Sequence, residues 1–192
     1  MLRLFTGWDA REASGWHAFA DSVYAYASVP VSITRLPERQ LDGSNAFTFS
    51  RFMVPDLCAY DGWAIYMDGA DMLMRADIAE LHGLRDERYA IQVVKHDYRT
   101  RFPRKYLGTP MESDNIEYPR KNWSSVILWN CGHPALLRVI EDHRFAWLPD
   151  ELIGDLPLEW GWLADEYGFN AKAKLLHFTA GAPIQMLHME RA

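Results

Sequence analysis

The sequence predicts an α/β fold, a Rossmann-like, mostly parallel mixed sheet flanked by helices, in a single domain spanning residues 1–192. Two observations predict it. Short apolar or β-branched runs, the mark of buried strands, alternate along the chain with stretches of helical period. Hydrophobic residues make up 49% and aromatics 14% of the 192 residues. That is enough apolar surface for one sizeable core, and it excludes disorder as the dominant state.

Leu2 to Thr6 reads as the first strand, closed by Gly7 and Asp9. Between Arg11 and Ala27, Trp16, Phe19, Val23 and Tyr26 recur at helical spacing. The β-branched run Val29 to Thr34 is a second strand, and residues 36–46, with Pro37, Asp42, Gly43 and Asn45, form a loop. Ser50 to Tyr60 is a short helix with Pro55 in its first turn or at a kink. Trp63 to Met67 is continuously apolar and ends in Asp68-Gly69-Ala70-Asp71, the profile of a central strand with charge at its C-terminal end. Asp77 caps a helix beginning at Ile78. Tyr89 to Val94 and Ser125 to Trp129 are further buried strands, Ala135 to Asp142 a helix, and Lys174 to Phe178 a last strand. Arg99 to Ser113 is basic, Pro-containing and irregular.

Twenty Lys and Arg against twenty-six Asp and Glu give a net charge of −6. That argues against duplex nucleic acid held by broad phosphate attraction. No apolar run approaches the roughly 18 residues of a membrane span, and the apolar N-terminal run is too short for a signal peptide. Cys58 and Cys131 form neither a CxxC pair nor zinc spacing, so a reduced, cytoplasmic protein is expected. No GxGxxG, P-loop, GxSxG or HExxH stands in the sequence, which disfavours dinucleotide oxidoreductases, P-loop kinases and serine hydrolases. The oligomeric state stays open.

Open α/β sheets bind ligands beyond the carboxyl ends of their strands. Asp9, the Asp68/Asp71 pair and His177 sit there. Two carboxylates at the end of an apolar strand repel each other, and a divalent cation such as Mg²⁺ or Mn²⁺ removes that repulsion. A solvated turn is the other reading of the pair, as a structural histidine is of His177. Arg51 offers a planar fork to a phosphate, or a surface ion pair. Thr179, Gly181 and Pro183 form a small-residue loop that a phosphate can approach closely. Lys95, His96 and Asp97 follow a strand and can line a cleft, together with Lys121. Trp160 offers a flat face to a sugar ring or fills a core. The basic, aromatic stretch containing Arg99, Arg101, Arg104, Lys105, Arg120 and Lys121 suits an anionic or sugar acceptor, single-stranded nucleic acid, or a solvated loop.

In order, several blocks resemble glycosyltransferase family 8, the group containing glycogenin and bacterial lipopolysaccharide galactosyltransferases. They are Phe5-Thr6-Gly7-Trp8-Asp9-Ala10-Arg11-Glu12, the segment Phe47 to Pro55 around Arg51, Ala64 to Leu73 followed by Ala76-Asp77-Ile78, Ser124 to Asn130, Leu156-Pro157 with Trp160, and His177 to Pro183. The resemblance implies a GT-A fold and a nucleotide-diphospho-sugar donor, a UDP-sugar in most members, bound with Mn²⁺ or Mg²⁺. Asp68, Asp71 and His177 would then be the metal ligands. Gly7, Trp8 and Asp9 would hold base and ribose, and Arg51 and Gly181 the diphosphate or donor sugar. Asp71 and Arg51 are the candidates for catalysis. Lys95, His96, Asp97, Lys121 and Trp160 are the candidates for the acceptor, which would be a glycan, a lipid-linked sugar, a protein or a small molecule. The sugar would be transferred with retention of configuration.

Three positions depart from the family pattern. The Asp-x-Asp motif is Asp68-x-x-Asp71 here, one residue longer. A bulge would let both carboxylates reach one ion, and the spacing from Asp71 to Asp77 fits. Ala182, where the family carries lysine, precedes Pro183, and Gly161 replaces the asparagine after Trp160. A catalytically degenerate GT-A module that binds nucleotide or sugar is therefore the second reading, and a single-stranded nucleic-acid binder the third.

Overall fold

The computed structural model describes residues 1–36, 47–139, 142 and 144–183, so the loop expected over 36–46 lies, apart from Leu36, outside the described residues. The first strands are β1 (Leu2–Thr6), β2 (Val31–Arg35), β3 (Trp63–Met67), β4 (Met72–Met74) and β5 (Ile91–Val93). Then come β6 (Arg104–Lys105), β7 (Ser113–Asp114), β8 (Val126–Asn130), β9 (Ile153–Asp155), β10 (Trp162–Leu163) and β11 (Leu175–His177). The helices are α1 (Ala13–Tyr26), α2 (Val54–Leu57), α3 (Ile78–Gly83) and α4 (Ala164–Tyr167), with short 3₁₀ turns between. No helix among the described residues is long and apolar enough to cross a membrane.

The central sheet has the order β2-β1-β3-β8-β5-β9. Its pairs are parallel except at β8, which runs antiparallel to both β3 and β5. Met67 of β3 therefore faces Val126 at the start of β8, and the Asp68 N–H donates to the Ser125 carbonyl at 3.1 Å. The runs read as continuously apolar are buried on both faces. Phe5, Tyr66, Ile127 and Trp129 enter one core with Phe52, Val54 and Phe145. Leu4, Ile65, Met67 and Leu128 point the other way, into a core with Phe19, Ile78, Leu81 and Leu175.

Helix α1 starts at Ala13, after a 3₁₀ turn over Ala10–Glu12 that Asp9 caps by accepting from the Arg11 N–H. Gly15, Phe19 and Val23 form its buried stripe. Ser22 Oγ donates to the Phe19 carbonyl at 2.6 Å and accepts from the Met74 N–H at 3.0 Å, tying α1 to β4. Asp77 caps α3 as expected, accepting from the Ala79 N–H.

Three expectations change. The helix expected over Ser50–Tyr60 is a 3₁₀ turn, Ser50–Met53, followed by α2, and it ends where Ala59 and Tyr60 take φ of 52° and 54°. Of the helix expected over Ala135–Asp142, Pro134–Arg138 form a 3₁₀ turn and Val139 is already extended. Only Leu136 in that turn is buried, so the turn itself lacks the apolar stripe that would hold an α-helix, and residues 140 and 141 of the expected helix lie outside the described residues. The last strand belongs to a second sheet, β10-β11-β4. There β11 is parallel to β10 and antiparallel to β4, with His177 opposite Met72.

Candidate functional site

A cleft of about 860 Å³ opens where β3 ends and β8 begins. Strand β3 carries Asp68 to its rim. Gly69, at φ 92°, then turns the chain, and the Met72 N–H closes that turn on the Gly69 carbonyl at 2.9 Å. This turn absorbs the extra residue between the two aspartates. Asp71 emerges at the head of β4, where the Phe178 N–H donates to its carbonyl at 2.8 Å. The pairing of β4 with β11 sets His177 beside Asp71, with Nε2 3.4 Å from Asp71 Oδ2.

Arg51 sits in the cleft wall, 6% exposed. Its Nε donates to the Thr48 carbonyl at 3.0 Å, and its Nη1 to the Ser124 carbonyl at 2.5 Å and to Ser124 Oγ at 3.1 Å. Its Nη2 lies 2.9 Å from Asp68 Oδ1. The buried Tyr66 hydroxyl donates to the same carboxylate oxygen at 2.8 Å, and its ring lies 5.0 Å from the guanidinium. Burial pushes the Asp68 carboxyl up, against the pull of Arg51, and Asp71 adds to the rise. At His177, burial opposes the charged form, but Asp71 and then Asp68 and Asp165 outweigh it and hold the imidazole above its ordinary pKa.

The chemistry of a divalent cation fits part of this set. Asp71 Oδ1 and His177 Nδ1 are buried and have no hydrogen-bond partner among the described residues. An oxygen and an imidazole side by side in a buried cleft are donors that Mg²⁺ or Mn²⁺ accepts. Asp68, by contrast, is engaged by Arg51 and Tyr66, and among the described residues no three acidic, histidine or cysteine side chains are grouped to hold an ion.

The structure thus brings Asp68, Asp71, His177, Arg51 and Lys121 to one cleft. Lys121 Nζ donates to Asn115 Oδ1 and to the Ile116 carbonyl, both at 2.7 Å. The first loop does not line this cleft. Asp9 is buried and bonded through both oxygens to Arg11. Trp8 stands edge-on to Trp16 and under the Arg35 guanidinium at 4.3 Å. Gly7 is packed so closely that a Cβ there would lie 2.1 Å from the Phe47 ring. Gly181, at φ 123°, closes the turn after His177 through its N–H to the Phe178 carbonyl.

The acceptor candidates scatter. Lys95 pairs with Asp155 at 3.0 Å, and Asp97 is exposed. His96 is buried beside Tyr98 and Tyr167, with Nδ1 3.1 Å from the Tyr167 hydroxyl. Burial, helped by His177, pushes the His96 imidazole down to about 3, so it is neutral. Trp160, 1% exposed, is a core residue and presents no face to a sugar. Three charges of the basic stretch are matched inside the molecule: Arg101 by Glu166, Arg104 by Glu112 and Arg120 by Asp150.

Three residues escape sequence reasoning. Tyr66 and Ser124 look like strand and turn positions, and only the antiparallel course of β8 shows their relation to Arg51. Glu12 is 2% exposed. Burial, and then the charges of Asp71, Asp9 and Asp68, push its carboxyl up to about 8. Nothing in its neighbours marks it as buried.

Solved structures share this architecture. The galactosyltransferase LgtC, seen with donor and acceptor sugar analogs, aligns over 92% of this chain and 87% of its own, with a TM-score of 0.62 at 11% identity. The WbbM bifunctional glycosyltransferase aligns over 94% of this chain with a TM-score of 0.59 at 14% identity, the chain spanning 46% of its length. The fold is therefore that of GT-A glycosyltransferases. No protein-family model matches the sequence. Protein CDI of Arabidopsis thaliana is 36% identical over an alignment 215 positions long, gaps included, which covers 95% of this chain and 79% of that protein. By that identity and coverage, the chain belongs to the family of Protein CDI.

Proposed function

We propose that the protein is a metal-dependent glycosyltransferase that moves a sugar from a nucleotide-diphospho-sugar, a UDP-sugar, to an acceptor hydroxyl with retention of configuration. The bond from the anomeric carbon to the β-phosphate oxygen breaks, and one from that carbon to the acceptor oxygen forms. The hydroxyl proton is released, and nucleoside diphosphate leaves. The observation that carries the reading is the convergence of Asp68, Asp71, His177 and Arg51 on one cleft of a GT-A fold.

Asp71 and His177 would hold Mn²⁺ or Mg²⁺, and Asp68 would serve as the second carboxylate through Oδ2, since Arg51 and Tyr66 both engage its Oδ1. When bound, the ion supplies positive charge to the leaving diphosphate. Arg51 fixes the position of Asp68 and keeps a second positive charge at the rim. Tyr66, whose phenol burial holds well above its ordinary pKa, stays a neutral donor to Asp68. One observation favours the second reading, a module that binds without transfer: Asp68 already has Arg51 as its counter-ion.

Calorimetry with UDP in Mn²⁺ and then in EDTA tests the site, and UDP release from UDP-sugars tests transfer. Metal-dependent binding that Asp71→Asn or His177→Ala weakens about tenfold or more supports the assignment. Equal affinity in the wild type and both variants would mean that these side chains do not form the metal site. Binding without UDP release gives the second reading the lead.

A further inference from the structure

The loop from His177 to Gly181 carries His177 and Thr179 to the cleft. Its backbone is held from several sides. The Phe178 N–H donates to the Asp71 carbonyl at 2.8 Å, and the Gly181 N–H closes the turn on the Phe178 carbonyl at 3.0 Å. Ala180 is gripped at both of its backbone polar groups. Its carbonyl accepts from the Tyr106 N–H at 2.8 Å. Its N–H donates to Asp165 Oδ2 at 3.0 Å.

Asp165 stands on α4, a single turn of four residues. So short a helix has little stability of its own, and its neighbours pin it. Strand β10 runs straight into it, with Leu163 in register with His177 of β11. Glu166, the next residue, is buried, and its carboxylate accepts from the Thr100 hydroxyl and, at 3.0 Å, from the Arg101 N–H. Arg101 Nη2 in turn donates to the Asp165 and Glu166 carbonyls at 2.8 and 2.5 Å, satisfying groups that a helix end leaves open. Asp165 therefore reaches the loop from a fixed base. Its carboxylate is half-buried, and a hydrogen bond from a backbone N–H to a carboxylate is a strong one. Burial pushes the Asp165 carboxyl up, and the Ala180 N–H, followed by His177, opposes that rise.

We propose that Asp165 is a positioning residue for the metal pair: by holding the Ala180 N–H it fixes the loop that keeps His177 beside Asp71. The proposal rests on the metal-dependent reading above and deepens it. Asp165 touches no ligand in this scheme and acts through the backbone of the loop. Without it the Ala180 N–H, itself half-buried, loses its acceptor, and the loop must shift to find another. The Phe178 N–H, bonded to the Asp71 carbonyl in the same loop, moves with it, and so does the approach of His177 Nε2 to Asp71 Oδ2. Because Glu166 and Arg101 anchor α4, the same turn of helix ties the start of the basic stretch to the metal pair.

The test compares the full chain with Asp165→Ala, which removes the acceptor, and Asp165→Asn, which removes the charge and keeps an oxygen for the Ala180 N–H. Mn²⁺ binding is followed by electron paramagnetic resonance, UDP binding in Mn²⁺ by calorimetry, and amide exchange at Phe178 and Ala180 by nuclear magnetic resonance. Asp165→Ala is expected to weaken Mn²⁺ about tenfold, the scale on which an outer partner of a metal ligand acts, and to speed exchange at both amides. Asp165→Asn should recover most of the Mn²⁺ affinity and of the protection. An unchanged Mn²⁺ affinity in Asp165→Ala overturns the proposal. An asparagine variant as weak as the alanine one also overturns it, because charge rather than position would then be at work. Should Asp165→Ala not fold, exchange at Ala180 decides. Protection in both the wild type and Asp165→Asn supports the proposal, and an unprotected Ala180 amide in the wild type overturns it. A wild type that binds neither Mn²⁺ nor UDP overturns the metal-dependent reading, and this proposal with it.

Discussion

At the scale of single residues, the cleft is a balance of charge under burial. Asp68, Asp71 and Glu12 crowd their like charges, and Arg51 and Lys105 oppose them. Glu12 records the balance. Its folded pKa of about 8 lies above the ordinary 4.5. Between those values the folded protein keeps a proton that the unfolded chain has released, so stability falls as pH rises through that window and levels off above it. Urea titrations from pH 5 to 9 should show this slope in the wild type and a shallower one in Glu12→Gln. Identical slopes would place Glu12 in an ordinary environment. Sequence patterning could not foresee this carboxyl. An acidic residue three positions after Asp9 reads as the first turn of a helix, and only the tertiary fold buries it. Trp160 shows the converse limit, since one of eight tryptophans looks the same in sequence whether it meets a sugar or a core.

Elements with dense apolar patterning were legible. Strands β1, β3 and β8 announce themselves because both faces are buried, and the cap at Asp77 because its side chain satisfies an otherwise orphaned N–H. Strands β4, β6 and β7 were not, because two or three residues cannot display an alternation, and each exists only through its partner. The direction of β8 was hidden too, and with it the role of Ser124. Where elements touch, one glycine decides the fit. A Cβ on Gly15 of α1 would stand 2.1 Å from the Ala70 carbonyl, inside the turn that joins the two aspartates. Gly15→Ala must therefore push helix and turn apart, at a cost of about 1–3 kcal/mol. UDP affinity in Mn²⁺ should fall with it, and a variant with unchanged urea midpoint and unchanged affinity would show that the contact yields freely.

Across the whole molecule, one sheet separates two cores. Phe19 reaches from α1 into the second of them and is fully buried. Phe19→Ala should lower stability by about 3–5 kcal/mol, read from the shift in the urea midpoint. An unchanged midpoint would mean that α1 contributes little to this core. The same helix backs the turn between the aspartates, so the core and the cleft share a support.

That turn has a mechanical consequence. Asp68 closes a strand of the six-stranded sheet, Asp71 stands at the head of a strand of the three-stranded one, and only Gly69 and Ala70 lie between them. The two carboxylates are mounted on separate slabs that meet along a seam. A ligand gripping both would act as a rivet. At a hundred times its Kd it would add about 2.7 kcal/mol to stability, and it would slow amide exchange in β3 and β4 together. A ligand held on one side of the seam would protect only that slab.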